Sequence, residues 1–106
     1  MILHGECIIL KVEQLPENCK RVKTKGNYHI VAESEMSGNH HVIDVEDGVE
    51  FYEKDGVLYL KADKETRVRC VIKERHDSVK IDKGLYRIDF QKEFDYLSGK
   101  ERVVAD

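Results

Sequence analysis

The sequence predicts an all-β domain, an antiparallel sandwich or small barrel of about eight to ten short strands. Apolar and polar residues alternate in short runs, as in strands that bury one face. Turn signals recur about every ten residues, which is typical of sandwiches and barrels. Two Asp-Gly pairs, at 47–48 and 55–56, mark hairpin turns within residues 41–62. We therefore expect a central three-stranded meander in that segment.

Length and composition indicate one small domain. With 106 residues the chain can enclose a single core, and we expect one domain over residues 1–106. A net charge of -3 argues against a general binder of nucleic acid or of anionic membranes. The sequence shows no apolar run of bilayer-spanning length and no signal peptide. Its three cysteines lack a CxxC spacing, which indicates reduced thiols in a cytoplasmic protein.

Several segments outside the meander also alternate as strands do. Gly26-Asn27 is a turn pair and predicts a hairpin around it, with Val22 opposite Val31 and Thr24 opposite His29. Residues 33–39 have no apolar period and predict the main loop, where binding residues usually lie. The segments expected to form strands are 6–12, 20–25, 28–33, 66–72 and 79–81.

The second turn of the meander fixes a register. A two-residue turn at Asp55-Gly56 sets Tyr52 opposite Tyr59 and Phe51 opposite Leu60. One face is then apolar and the other carries the tyrosine pair among charged residues.

For the first turn we predict a three-residue loop, residues 46–48, instead of a two-residue one, with Gly48 in the left-handed conformation. That loop sets Ile43 opposite Phe51 and His41 opposite Glu53, which keeps the apolar residues on one face. The predicted core face is Ile43, Val45, Val49, Phe51, Leu58, Leu60 and Ala62. The predicted outward face is Val42, Asp44, Glu50, Tyr52, Tyr59 and Lys61.

The last long segment, residues 85–96, fits two structures. Its alternation favours a strand, whereas Phe90, Phe94 and Leu97 also fit a helical stripe. A hairpin around Ser98-Gly99 would match charge with charge and apolar with apolar residues, so a strand is the prediction.

The histidines are the first candidate site. His40, His41 and His76, with Glu74 and Asp77, carry groups that bind metals or act as acids and bases. Neighbouring strand residues point to opposite faces, so His40 and His41 share an ion only if they lie in the loop. No spacing matches an established zinc pattern. A structural role at the edge of the core is the preferred interpretation, and a metal site or a ligand-contacting histidine is the alternative.

Two further surfaces are candidates for binding. The basic run 20–25 could bind phosphate or nucleic acid, but it lacks interleaved aromatic residues, and an edge strand protected by lysines is the preferred interpretation. On the outward face of the meander, Val42, Tyr52 and Tyr59 suit a protein contact, with packing inside the same chain as the alternative. No catalytic residues are predicted, because the chain has no serine elbow, no phosphate-binding glycine loop and no recognisable nucleophile site.

Three motifs carry a resemblance. They are Gly38-Asn39-His40-His41, His76-Asp77-Ser78-Val79 and the run 84–94, followed by the ending 102–106. In these the chain resembles a group of small all-β proteins of phage and bacterial genomes, with Asp82-Lys83 in place of that group's usual proline. The resemblance implies no activity. It implies a linked group of residues, namely His40, His41, His76, Tyr86, Gln91 and Glu93.

The leading functional hypothesis is a non-enzymatic binding or assembly module that forms a homo-oligomer and uses no cofactor. The resemblance suggests that a phage or prophage encodes it. The alternative is a protein that binds a small anionic ligand, such as a nucleotide or phosphate, or a metal. Its site would be built from His40, His41, His76, Arg87 and Gln91. Self-association or a protein partner is expected, and nucleic acid and membrane are not.

Overall fold

The computed structural model describes residues 1–4, 7–33, 40–71 and 78–90, which form two antiparallel sheets without a helix. The all-β prediction is confirmed, and the two sheets form a sandwich. The strands are β1 (Ile2–His4), β2 (Cys7–Val12), β3 (Lys20–Arg21), β4 (Tyr28–Ala32), β5 (His41–Asp44), β6 (Val49–Lys54), β7 (Val57–Ala62), β8 (Thr66–Cys70), β9 (Val79–Ile81) and β10 (Gly84–Phe90).

The larger sheet has six strands in the order β1-β2-β10-β7-β6-β3, and the smaller has four in the order β4-β5-β8-β9. Strand β10 lies between β2 and β7, with Ile88 opposite Ile9 on one side and Leu58 on the other. Residues 84–90 are therefore a strand, as the alternation predicts. The predicted continuation to residue 96 and the hairpin at Ser98-Gly99 lie outside the described residues.

The β6–β7 hairpin has the predicted register. Tyr52 lies opposite Tyr59 and Phe51 opposite Leu60. Asp55 and Gly56 both have positive φ, 52° and 80°, as a two-residue turn of this twist requires. The two-residue turn at Asp55-Gly56 joins the two strands directly and therefore determines their register.

The predicted pairing of β5 with β6 is wrong. Strand β5 pairs with β4 and β8 in the smaller sheet, so residues 46–48 carry the chain from one sheet to the other. Gly48 does have the predicted positive φ, at 89°, and the amide of Val49 donates to the carbonyl of Glu46. Ile43 and Phe51 are both buried as predicted, but they belong to facing sheets. Alternation alone cannot distinguish strands side by side from strands face to face.

The hairpin predicted around Gly26-Asn27 is also wrong. Strand β3 pairs with β6, so Arg21 lies opposite Tyr52, whereas β4 pairs with β5. Val22 consequently does not pair with Val31, and its amide donates instead to the carbonyl of Phe51 at 2.8 Å. The lysine-bearing edge strand is confirmed, because β3 ends the larger sheet and both of its residues are exposed.

The core lies between the two sheets. His29 of β4 packs on Phe51 of β6 with ring centroids 4.7 Å apart, which joins the smaller sheet to the larger. Val42, predicted to face outward, is wholly buried, so β5 is covered on both faces. Of the predicted core face, Val45 and Leu58 are only partly buried. The largest fully buried side chains are Phe51, Ile9, Ile43, Leu60, Ile81 and Val42.

Phe51 tests this packing. Phe51→Ala removes a ring that is 1% exposed and should lower the free energy of unfolding by about 3–5 kcal/mol. Glu53→Ala, on the same strand but at an exposed position, should change it by no more than about 0.5 kcal/mol. Urea unfolding measures both variants, and equal effects from the two would contradict the assignment of the faces.

Candidate functional site

Two polar side chains from neighbouring strands enter the core at one end of the smaller sheet. His41 begins β5, Cys70 ends β8, and the two residues are direct partners in the ladder. Alternation places His41 on the same face as Ile43, and Cys70 on the same face as Val68, and both of those apolar residues belong to the core. Each polar residue is 7% exposed. His41 and Cys70 therefore point into the space between the sheets.

A third polar side chain reaches the same place from the larger sheet. His4 ends β1 and shares its face with Ile2, which packs against the core, and His4 is 4% exposed. Its Nδ1 lies 2.7 Å from Nδ1 of His41, and the two rings meet edge to face with centroids 4.8 Å apart. The contact links the edge strand of one sheet to the other sheet.

The short contact between the imidazoles is a hydrogen bond, and it constrains their protons. One Nδ1 donates and the other accepts, so at least one of the two rings is neutral. If both rings are neutral, the acceptor ring carries its proton on Nε2. Protonation of both rings removes the acceptor and breaks the contact.

His4, His41 and Cys70 together form a set of possible metal ligands. One ring nitrogen of each histidine and the Sγ of Cys70 all lie within 4.8 Å of one another. Imidazole nitrogen and thiolate sulfur are the ligands that zinc and copper prefer. We call this set the His-His-Cys cluster.

The structure brings together only part of the predicted histidine site. His41 is in the cluster, but it lies opposite Cys70 and Ala32, and its predicted place beside Glu53 is wrong. His40 is half-buried, and its carbonyl accepts from the amide of Val71 at 2.9 Å. Three residues of the predicted group, His76, Gln91 and Glu93, lie outside the described residues.

Arg87 lies apart from the cluster. On β10 it alternates with the buried Tyr86 and Ile88, so it faces outward from the larger sheet, and its Nε donates to Asp89 at 3.1 Å. The described residues therefore do not join Arg87 to His41.

The predicted tyrosine surface is only partly formed. Tyr52 and Tyr59 are cross-strand partners on the outer face of the larger sheet, and both are half-buried. Val42 does not join them, because it lies in the smaller sheet.

A hydrogen bond fixes Tyr52 on this surface. Its hydroxyl donates to the Glu50 carboxylate at 2.8 Å, and this bond is the main reason why the pKa of Glu50 is lowered. The same bond is the main reason why the pKa of Tyr52 is raised. Arg21 lies 3.7 Å from the other carboxylate oxygen and also lowers the pKa of Glu50.

Neither His4 nor Cys70 is among the site residues that the sequence predicts. Both lie in apolar β-runs, far apart in sequence, and only the sheet topology brings them to His41. A polar residue on the inward face of a strand is the signal that could have indicated this site. It becomes useful only when β5 is correctly paired with β8, because that pairing brings His41 next to Cys70.

The chain belongs to the DUF8820 family, described as a domain of unknown function, because that family's model matches residues 3–91. No curated protein and no solved structure is significantly similar to it. The family match includes His4, His41 and Cys70, and it reaches into the first third of the chain, which the sequence resemblance left out. Across the described ranges, no helix has the length and apolar character to cross a membrane.

The Tyr52–Glu50 bond gives a prediction in pH. Tyr52→Phe removes the donor, so the pKa of Glu50 should rise toward its ordinary value. The lowered pKa contributes stability above the unfolded pKa of Glu50, and this contribution is lost as the pH falls through the folded value. NMR titration of the Glu50 carboxyl measures the shift. Tyr59→Phe is the matched control, and an equal shift in both variants would contradict the assigned cause.

Proposed function

We propose that the chain is a metal-binding domain and that the His-His-Cys cluster is its site. The observation that carries the proposal is the convergence of two imidazoles and a thiol within 4.8 Å in a buried position. A metal ion uses all three groups at once.

The two imidazoles need little adjustment to hold an ion between them. Bonds of about 2.0–2.1 Å around a tetrahedral or trigonal ion place two nitrogens roughly 3.3–3.5 Å apart. The Nδ1 atoms of His4 and His41 are 2.7 Å apart, so they must separate by less than about 1 Å. The ion then replaces the hydrogen bond between the rings, and Cys70 must lose its proton to become a ligand.

The cluster also couples binding to the fold. His4 is on the larger sheet, and His41 and Cys70 are on the smaller one, so an ion held by all three connects the two sheets. Binding to the folded state alone stabilises that state by mass action. The proposal assigns no reaction to the ion.

Metal-dependent stability tests the proposal. Addition of Zn²⁺ or Cu⁺ at about 100 times the dissociation constant should stabilise the reduced protein by about 2.7 kcal/mol, measured by thermal unfolding. The gain should disappear in His4→Ala and in Cys70→Ser, because each removes a donor.

Two matched controls separate the cluster from other histidines and thiols. His40→Gln changes the residue beside His41, and Cys19→Ser changes a partly buried cysteine outside the cluster, so both should keep the gain. Equal stabilisation of Cys70→Ser and the parent protein would exclude the cluster as the site.

Self-association is a second candidate function, favoured by the position of exposed apolar residues. Within the described ranges, the exposed large apolar side chains lie on or beside edge strands of the two sheets. Met1 and Leu3 are at β1, and Tyr28 and Ile30 are on β4. An exposed apolar edge strand can pair with another chain. We propose β4 as the edge where a second copy adds, since five residues offer a longer ladder than the three of β1.

An association measurement tests β4. The protein should have a mass above 12.3 kDa by light scattering at high concentration, and Ile30→Lys should return it to the monomer mass. Lys25→Glu, an exposed change outside the strand, should have no such effect. If Tyr52→Ala and Tyr59→Ala dissociate the assembly while Ile30→Lys does not, the tyrosine surface is the interface instead of β4.

The cellular location and the origin of the protein are also proposals. A reduced Cys70 suits the reducing cytoplasm, which we retain as the proposed location. An origin in a phage or prophage genome is also retained as a proposal, supported by the sequence resemblance.

A further inference from the structure

We infer that the ion held by the His-His-Cys cluster is copper, bound as Cu(I). This inference rests on the proposed function and specifies its ligand. It follows from the identity of the donor atoms, the charge that they carry and their burial.

The donor atoms favour copper or zinc over harder ions. Thiolate is a soft ligand and selects Cu(I), zinc and iron–sulfur clusters over harder ions such as Mg²⁺ and Ca²⁺. Two imidazoles and one cysteine are also the donor set of trigonal copper sites that transfer electrons. In this chain the Nδ1 atoms of both imidazoles face each other, so the same atom of each ring is presented to the ion.

The charge of the donors distinguishes Cu(I) from Zn²⁺. Two neutral imidazoles and one thiolate carry a single negative charge. Cu(I) therefore gives a neutral site, whereas Zn²⁺ leaves one positive charge. The three residues are between 4% and 7% exposed, and an uncompensated charge is costly in such a place.

Competition titrations test the inference on the full chain, in a Cys19→Ser background that removes a thiol outside the cluster. Cu(I) is titrated against bicinchoninate, and Zn²⁺ against a chromophoric zinc chelator, both under reducing, oxygen-free conditions. One Cu(I) should bind per chain, and more tightly than Zn²⁺. Cys70→Ser should weaken Cu(I) binding at least about 100-fold, since loss of an outer-shell partner alone costs 10–100-fold. His40→Gln should leave it unchanged.

The outcomes separate the two proposals. If Zn²⁺ binds through His4, His41 and Cys70 and Cu(I) does not displace it, copper is wrong and the metal-binding function stands. If neither ion binds, or if both bind equally well to Cys70→Ser, the proposed function falls as well.

Discussion

Short strands with one apolar face must bury that face against a second sheet, and the rest of this structure depends on that constraint. The chain meets it by crossing repeatedly between the sheets. Gly26 and Gly48, with φ of 78° and 89°, lie in two of these crossings, where a left-handed conformation is easy only for glycine. Each crossing places sequence neighbours on facing sheets. Residues distant in sequence, such as His4 and His41, thereby come into contact.

The contact between the two imidazoles is an unusual use of core space. In the core, two polar rings hydrogen-bonded to each other contribute little net stability compared with apolar side chains of similar shape. Cys70 alone fits the core as a small apolar residue. Its position beside the two imidazoles is what changes the chemistry of the site, because the three together offer donor atoms for one ion.

The sequence predicts pairings between strands that are close in the chain, but not pairings between distant segments. The β6–β7 register follows from Asp55-Gly56, because a two-residue turn leaves one alignment of the strands that flank it. The partner of β5 is not predictable in this way. Ile43 is buried equally well whether it lies beside Phe51 in one sheet or across from it in the facing sheet. Only the non-local pairing of β5 with β8 distinguishes these two arrangements. The cluster depends on the pairing of β5 with β8 and on the position of β1 at the far edge of the larger sheet. Neither can be predicted from a local sequence pattern.

Strand β1 connects the proposed metal site to an edge of the larger sheet. Its three residues alternate, so His4 points into the core while Leu3, 57% exposed, points out. Among the described strands of the larger sheet, only β2 pairs with β1, and three residues of ladder give weak attachment. An ion bound at the proposed site by His4, His41 and Cys70 would hold β1 from its inner face as well, against the smaller sheet. Metal binding would then keep β1 over the edge of β2, an edge that a second chain could otherwise pair with. This edge belongs to the larger sheet, whereas β4, the edge proposed for self-association, belongs to the smaller one.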